Sequence, residues 1–378
     1  MKKIILLIAI VFLCFIGTTK AQDAQNTVTV TDMAGREVSF RQPVKRIILI
    51  FGKEIYEFSS LLGDEIEDKL VAWGPALKTS DNDAYITFIK RFPRLQKIPF
   101  LGSYHKGTLN MEQILALKPD LVIAEVSMTW RADVINQVEK AKLPYLVLDM
   151  ASDPFQGKVQ SKSLLLLGKV LGKEEKAKEI TDFADSHIDT IFSRLSRIKS
   201  PVPSVYIEEA TSVEFYGNTH GYDKNRKLLT WGAVFGQVRC NNIAVNKICY
   251  MGQINPEYLL KADPDVIILI GSSGNLDFPT SIRLGYNVSK SEALSRLQDF
   301  TKRPGWENLQ AVKNHRIYAL SHEFIQHNMG FVGLEQIVKW LYPDEFKDIN
   351  PEEDLQEFHN KFMPVPYNGV WMIGLEDK

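Results

Sequence analysis

The sequence predicts an α/β protein of two lobes, each with a mainly parallel sheet, joined by a single long α-helix. Three observations carry this. Short apolar runs alternate with helical segments in both halves, the pattern of sheets whose strands are buried on both faces. A fifteen-residue unit occurs twice, at 110–124 and at 255–269. Between the halves, the charged stretch Lys173–Lys199 carries Ile180, Phe183, Ala184, Ile188, Ile191, Phe192 and Leu195 at spacings of three and four, a single apolar stripe.

The chain opens with Lys2 and Lys3, then the apolar stretch Ile4–Ile16, then the small residues Thr19 and Ala21. This reads as a secretory leader cut after Ala21, too short in its apolar part for the ~20 residues of a membrane span. Cys14 follows Leu13 inside that stretch and reads as one of its apolar residues, not as a lipid acceptor. The mature chain keeps roughly 350 residues, enough for about two domains. The whole chain has a net charge of −1, and losing three lysines with the leader makes it more acidic. That balance gives no basic footprint for nucleic acid. Cys240 and Cys249 remain; export permits a disulfide between them, and two separate thiols are the alternative.

From the N-terminus, Val28–Val30 and Glu37–Phe40 alternate around Asp32-Met33-Ala34-Gly35 and read as a hairpin. Ile47–Phe51 is a buried strand and Ile55–Leu62 a helix closed by Gly63. Leu70–Trp73 and Tyr145–Asp149 are strands, and a helix covers Ala132–Lys142. Residues 156–199 are helical, interrupted near Gly168 and Gly172, and stopped by Pro201 and Pro203. Val205–Ile207 opens the second lobe, followed by a polar loop over 211–225 and a helix over Lys227–Phe235. After the second repeat come a polar loop over 270–287, helices at Ser291–Phe300 and Trp306–Val312, a strand at His315–Leu320 and a helix at Val332–Leu341. The expected organisation is a leader (1–21), an N-terminal lobe (22–155), a helical linker (156–200), a C-terminal lobe (201–345) and a tail packing on the body (346–378).

The repeated unit explains itself physically. Asn110 and Asn255 each cap a helix. Glu112 and Glu257 follow in the first turn, where the helix dipole favours a carboxylate. Pro119-Asp120 and Pro264-Asp265 end the helix, and an apolar strand follows.

Four segments, in order behind a leader, resemble the substrate-binding proteins of ABC importers for iron–siderophore, haem and vitamin B12 uptake. They are Val30–Val38 with Pro43–Ile47, Asn110–Ala124, Asn255–Ile270, and Arg303–Tyr318. The run Val338–Pro343 fits a subgroup associated with iron or metal-chelate uptake. The resemblance implies two Rossmann-like lobes joined by one long helix, with the ligand cleft between them. It also implies a monomeric periplasmic receptor, not an enzyme, with no resident cofactor and a ferric or other metal chelate as cargo. Its partners would be an ABC permease and ATPase at the inner membrane, docked through Glu112 and Glu257, one on each lobe. The alternative for those two residues is that each serves only its own helix dipole.

Ligands of open parallel sheets bind beyond the carboxyl ends of the strands. Candidate cleft residues in such loops are Lys53, Trp73, Tyr104, His105, Trp130, Arg131, His220, Tyr222, Arg283, His322 and His327. The aromatics would stack on a chelate or macrocycle, and Arg131 or Arg283 would neutralise an anionic complex. Tyr104, His105, His220 and His322 would touch a metal directly. Any of these residues could instead be a packed or solvated loop residue, and no metal set is assigned. His322-Glu323-Phe-Ile-Gln-His327 is not the zinc-protease motif, because its histidines are five apart rather than four. Haem or a corrinoid is the alternative cargo. A metal-chelate reductase or chelatase outside the cytoplasm is the alternative of another class, and a surface scavenger without a transporter is a third.

Overall fold

The computed structural model of the chain describes residues 26–222 and 231–377. The expected leader, and residues 223–230 with the first part of the helix expected over Lys227–Phe235, lie outside the described residues. The hairpin is β1 (Thr27–Thr31) against β2 (Glu37–Arg41).

The first lobe holds a four-stranded parallel sheet of β3 (Ile47–Leu49), β4 (Leu70–Trp73), β5 (Leu121–Glu125) and β6 (Tyr145–Leu148), in the order β4-β3-β5-β6. The order reverses between β3 and β5, where open parallel sheets place their ligands. The second lobe holds β7 (Ser204–Glu209), β8 (Thr219–His220), β9 (Asn241–Asn242), β10 (Met251–Gly252), β11 (Val266–Gly271), β12 (Ile317–Ser321) and β13 (Met372–Gly374). Its sheet runs β10-β8-β7-β11-β12-β13, with β9 beside the start of β7. The pairs β7–β11 and β11–β12 are parallel. The tail enters this sheet: β13 pairs antiparallel with β12.

Why the strands read as unbroken apolar runs is now visible. Alternate residues of each strand face opposite layers. Ile47 and Leu49 of β3, Leu121 and Ile123 of β5, Val205 and Ile207 of β7, and Val266 and Ile268 of β11 all join one central core. Their neighbours face outer layers, Ile48 and Val122 in the first lobe, Tyr206 and Ile267 in the second.

The linker forms two helices, Val159–Leu171 and Glu174–Leu195, turned at Gly172 (φ 66°). The first runs through Gly168 without the expected break; a Cβ there would lie 2.4 Å from the Ala177 Cβ, so the glycine lets the two helices close on each other. The 22-residue second helix spans about 33 Å at 1.5 Å per residue. It buries Ile180, Ala184, Ile188, Ile191 and Leu195, most of the expected stripe.

Elsewhere the expectations shift. The stretch after Trp73, for which no element was expected, folds into helices Ala76–Ser80 and Asn82–Arg91. The polar loop over 270–287 folds back on the sheet and buries Ile282, Leu284 and Tyr286. Cys240 and Cys249 are free thiols, one half-buried and one exposed.

In both repeats the Asp ties the unit to the neighbouring strand. Asp120 accepts the backbone N–H groups of Lys45 and Arg46 at 3.0 Å, just before β3. Asp265 accepts those of Ser204, backbone and hydroxyl, at 2.7 Å where β7 begins.

Candidate functional site

The carboxyl ends of β3 and β5 face those of β7, β11 and β12 across a cleft. After β3 the chain must turn sharply past the loop that follows β4. Gly52 does so at φ 100°, and a Cβ on it would sit 2.4 Å from the Gly74 carbonyl oxygen. Glu54 then folds back and accepts the backbone N–H groups of Gly52 (2.6 Å) and Phe51 (3.3 Å). At the end of β5, Glu125 lies 3.4 Å from the Tyr104 hydroxyl, which also meets Ser127 at 2.9 Å. Burial, and then the charge of Glu125, raises the Glu54 carboxyl above its ordinary range; burial raises Glu125 likewise.

In the second lobe Glu209 ends β7 and His220 ends β8, with 3.5 Å between Oε1 and Nε2. That separation is at the limit of a hydrogen bond, so the wholly buried His220 has Nε2 only loosely held by Glu209 and Nδ1 without a partner. Burial opposes ionisation of Glu209, but His220 and then the His322 ring hold it down at about 2. After β12, the Ser321 hydroxyl accepts the Glu323 N–H and starts a tight turn over His322–Ile325. The Trp231 indole N–H donates to His322 Nδ1 at 3.4 Å. Burial, then the charge of Lys53, pushes His322 down to about 4, so it is a neutral imidazole at pH 7.

Two adjoining cavities of about 200 and 230 Å³ occupy the cleft and share Phe51, Glu209, His322 and Gln326. Of the residues singled out in the sequence, Lys53 and His322 line the first cavity. His105, Trp130, His220 and His322 line the second, with Trp130 59% exposed at its mouth. Tyr104 sits behind His105, rings 4.0 Å apart, and is itself buried.

The other candidates are placed elsewhere. Trp73 is core, stacked on Phe100 at 5.7 Å, because its strand position points between the sheet and the Asn82–Arg91 helix. Arg131 is paired with Asp133 and donates to the carbonyls of Tyr104 and His105, so it braces a loop. Arg283 crosses the lobes to Asp83 at 2.5 and 2.7 Å and also meets Glu292. Tyr222 packs against Gly236 outside both cavities. His327 is buried between Glu57 (2.9 Å) and Glu323 (3.2 Å). Glu323 also accepts the Lys53 ammonium at 2.6 Å, so this network joins the lobes beneath the cleft. Glu112 and Glu257 are exposed in helix first turns, capped by Asn110 and Asn255.

The sequence reading missed Glu125 and Glu209. Glu125 was signalled as the first acidic residue after a buried apolar run and Glu209 as the second, directly behind Glu208, positions that mark the carboxyl end of a strand.

A family model described as periplasmic binding protein matches residues 62–323. The chain belongs to this family. The TroA-like periplasmic binding protein FepB from Veillonella parvula superposes with a TM-score of 0.84 at 30% identity, covering 92% of this chain and 100% of that one. An uncharacterized ABC transporter substrate-binding lipoprotein of Bacillus subtilis, YvrC, is 25% identical over 325 residues, 85% of this chain and 87% of its own length. CeuE from Helicobacter pylori, solved with Ni(II) bound, shares the fold at 17% identity and a TM-score of 0.63, over 90% of this chain and 97% of that one. The chain is therefore an ABC transporter substrate-binding protein, of a kind that works with a permease and an ATPase. No helix among the described residues is long and apolar enough to cross a membrane.

Proposed function

We propose that this family member is a periplasmic receptor, exported by its leader, that captures a metal chelate of the iron–siderophore kind and hands it to an importer. The observation that carries the reading is His220, wholly buried at the cleft with Nδ1 unpartnered and Nε2 only loosely held by the ionised Glu209, close to the neutral His322. A neutral imidazole and a carboxylate are donors for a transition metal with an open coordination position. Charge narrows the cargo. Arg131 and Arg283 are committed to Asp133 and Asp83, and Lys53 to Glu323. Among the described residues, no unpaired Lys or Arg lines either cavity, while Glu125 and Glu209 do. The cleft therefore favours a neutral or cationic complex over a polyanionic one.

Glu112 and Glu257 are the proposed contacts with the permease, since an exposed carboxylate accepts a bidentate Arg well. The cargo is tested by titrating purified protein with a ferric hydroxamate, a ferric catecholate, haem and cobalamin while following tryptophan fluorescence. The hydroxamate, supplied as a dihydroxamate complex that is cationic and leaves iron positions open, should bind best, and His220→Gln should weaken it by about tenfold or more, the scale of losing one metal-site partner. Binding of haem or cobalamin alone, or a His220→Gln protein of unchanged affinity, would overturn the assignment.

A further inference from the structure

Away from the cleft, three helices bring together a set of metal-ligand side chains with no part in cargo binding. His187 lies on the inter-lobe helix Glu174–Leu195, Glu335 on Gly330–Leu341 and Asp354 on Pro351–Phe362. One ligand atom from each lies within 4.8 Å of the other two. His187 Nδ1 is 2.6 Å from Glu335 Oε1. The second Glu335 oxygen is buried, on a side chain only 4% exposed, and faces the Asp354 carboxyl; with both groups ionised it meets no donor. An orphan carboxylate oxygen in an apolar setting is costly to leave unmatched. The setting is apolar here: the Phe183 and Phe331 rings flank His187 at 4.9 and 4.7 Å. Among the described residues no Lys or Arg forms an ion pair with Glu335 or Asp354, and the nearby Lys361 is taken by Glu357.

We infer that His187, Glu335 and Asp354 form a second, structural binding site for a divalent first-row cation of the zinc type. One imidazole and two carboxylates are ligands zinc accepts, at about 2.0–2.2 Å from each donor atom. Drawing the three atoms in to that radius takes side-chain rotation of the order of an ångström. His187 (23% exposed) leaves the ion a path in and a position for water. The cation supplies the charge that two converging carboxylates lack, and satisfies the orphan oxygen. It also clamps the inter-lobe helix to the two C-terminal helices.

The test uses the full mature chain, stripped with chelator and titrated with zinc chloride alone. Calorimetry should show one site that survives His220→Gln, which removes any contribution from the cleft. Zinc should raise the melting temperature, and Glu335→Gln, Asp354→Asn and His187→Gln should each weaken binding by about tenfold or more. Zinc binding unaltered by these three changes, or no stabilisation at millimolar zinc, overturns the site. Should a variant of the three fold poorly, cobalt(II) added to the His220→Gln chain decides: absorption bands of a low-coordinate cobalt site support it, and a spectrum of hydrated cobalt alone refutes it.

Discussion

His327 allows the coupling of charge to stability between the lobes to be measured. Burial disfavours its imidazolium, but the Glu57 and Glu323 carboxylates on either side outweigh burial and hold its pKa up at about 9, against an ordinary 6.5. Its folded-state pKa is thus raised, so its stabilising contribution is complete below about pH 6.5 and is lost as pH rises through 9. At 1.36 kcal/mol per pKa unit that contribution is about 3 kcal/mol. Other groups also titrate in this window, the buried carboxyls of Glu54 and Glu125 among them, so the chain alone is a poor probe. The comparison with His327→Gln removes the titration of Glu54, which is common to both proteins, while Glu125, whose carboxyl the His327 charge holds down, titrates higher in the variant. Urea denaturation at pH 6 and pH 9.5 should show the gap between the two proteins shrinking by about 2 kcal/mol or more at the higher pH. A gap that stays constant would mean that His327 is neutral in the folded chain and that the Glu57–His327–Glu323 link is an ordinary hydrogen-bond bridge.

Two other perturbations follow from the geometry. Arg303 is buried, grips Glu208 through two nitrogens at 2.8 and 2.9 Å, and donates to the carbonyls of Ser212, Val213 and Phe215. Arg303→Met strands the Glu208 carboxylate and should cost about 3–5 kcal/mol, read by calorimetry as a melting temperature lower by roughly 5 °C. Reversing charge at both Glu112 and Glu257 should leave cargo affinity unchanged in vitro and abolish uptake in cells; continued uptake would remove these residues from permease docking.

How far the sequence carried depended on whether a signal was local. The helix Ile55–Leu62 with its Gly63 stop, the hairpin and both capped repeats were legible because each is set by neighbours in the chain. The helix Asn82–Arg91 was not, since its few apolar residues gain their meaning only against Trp73 and the second lobe. The site split the same way. His105, Trp130, His220 and His322 sit on loops or strand ends that the strand pattern could flag. Arg131 and Arg283 were given to the cargo because a sequence does not show that Asp133 and Asp83 had already taken them. His322 and His327 are five residues apart yet face different surroundings, one the open cleft and one a sealed charge network. Only a tight turn between them, followed by a helix, separates the two environments.

The ion pairs between the lobes bear on the direction of work in a transport cycle. Lys53–Glu323, His327–Glu57 and Arg283–Asp83 all join the first lobe to the second. A receptor whose halves are already stitched at working distance spends little of its cargo's binding energy on drawing them together. Prying them apart is another matter, because it would leave an ammonium and several carboxylates without their counterions before water could reach them, at several kcal/mol. Loading is then the downhill half of the cycle and discharge the uphill half. For a protein of a kind that works with a permease and an ATPase, the energy of opening would then have to come from that assembly.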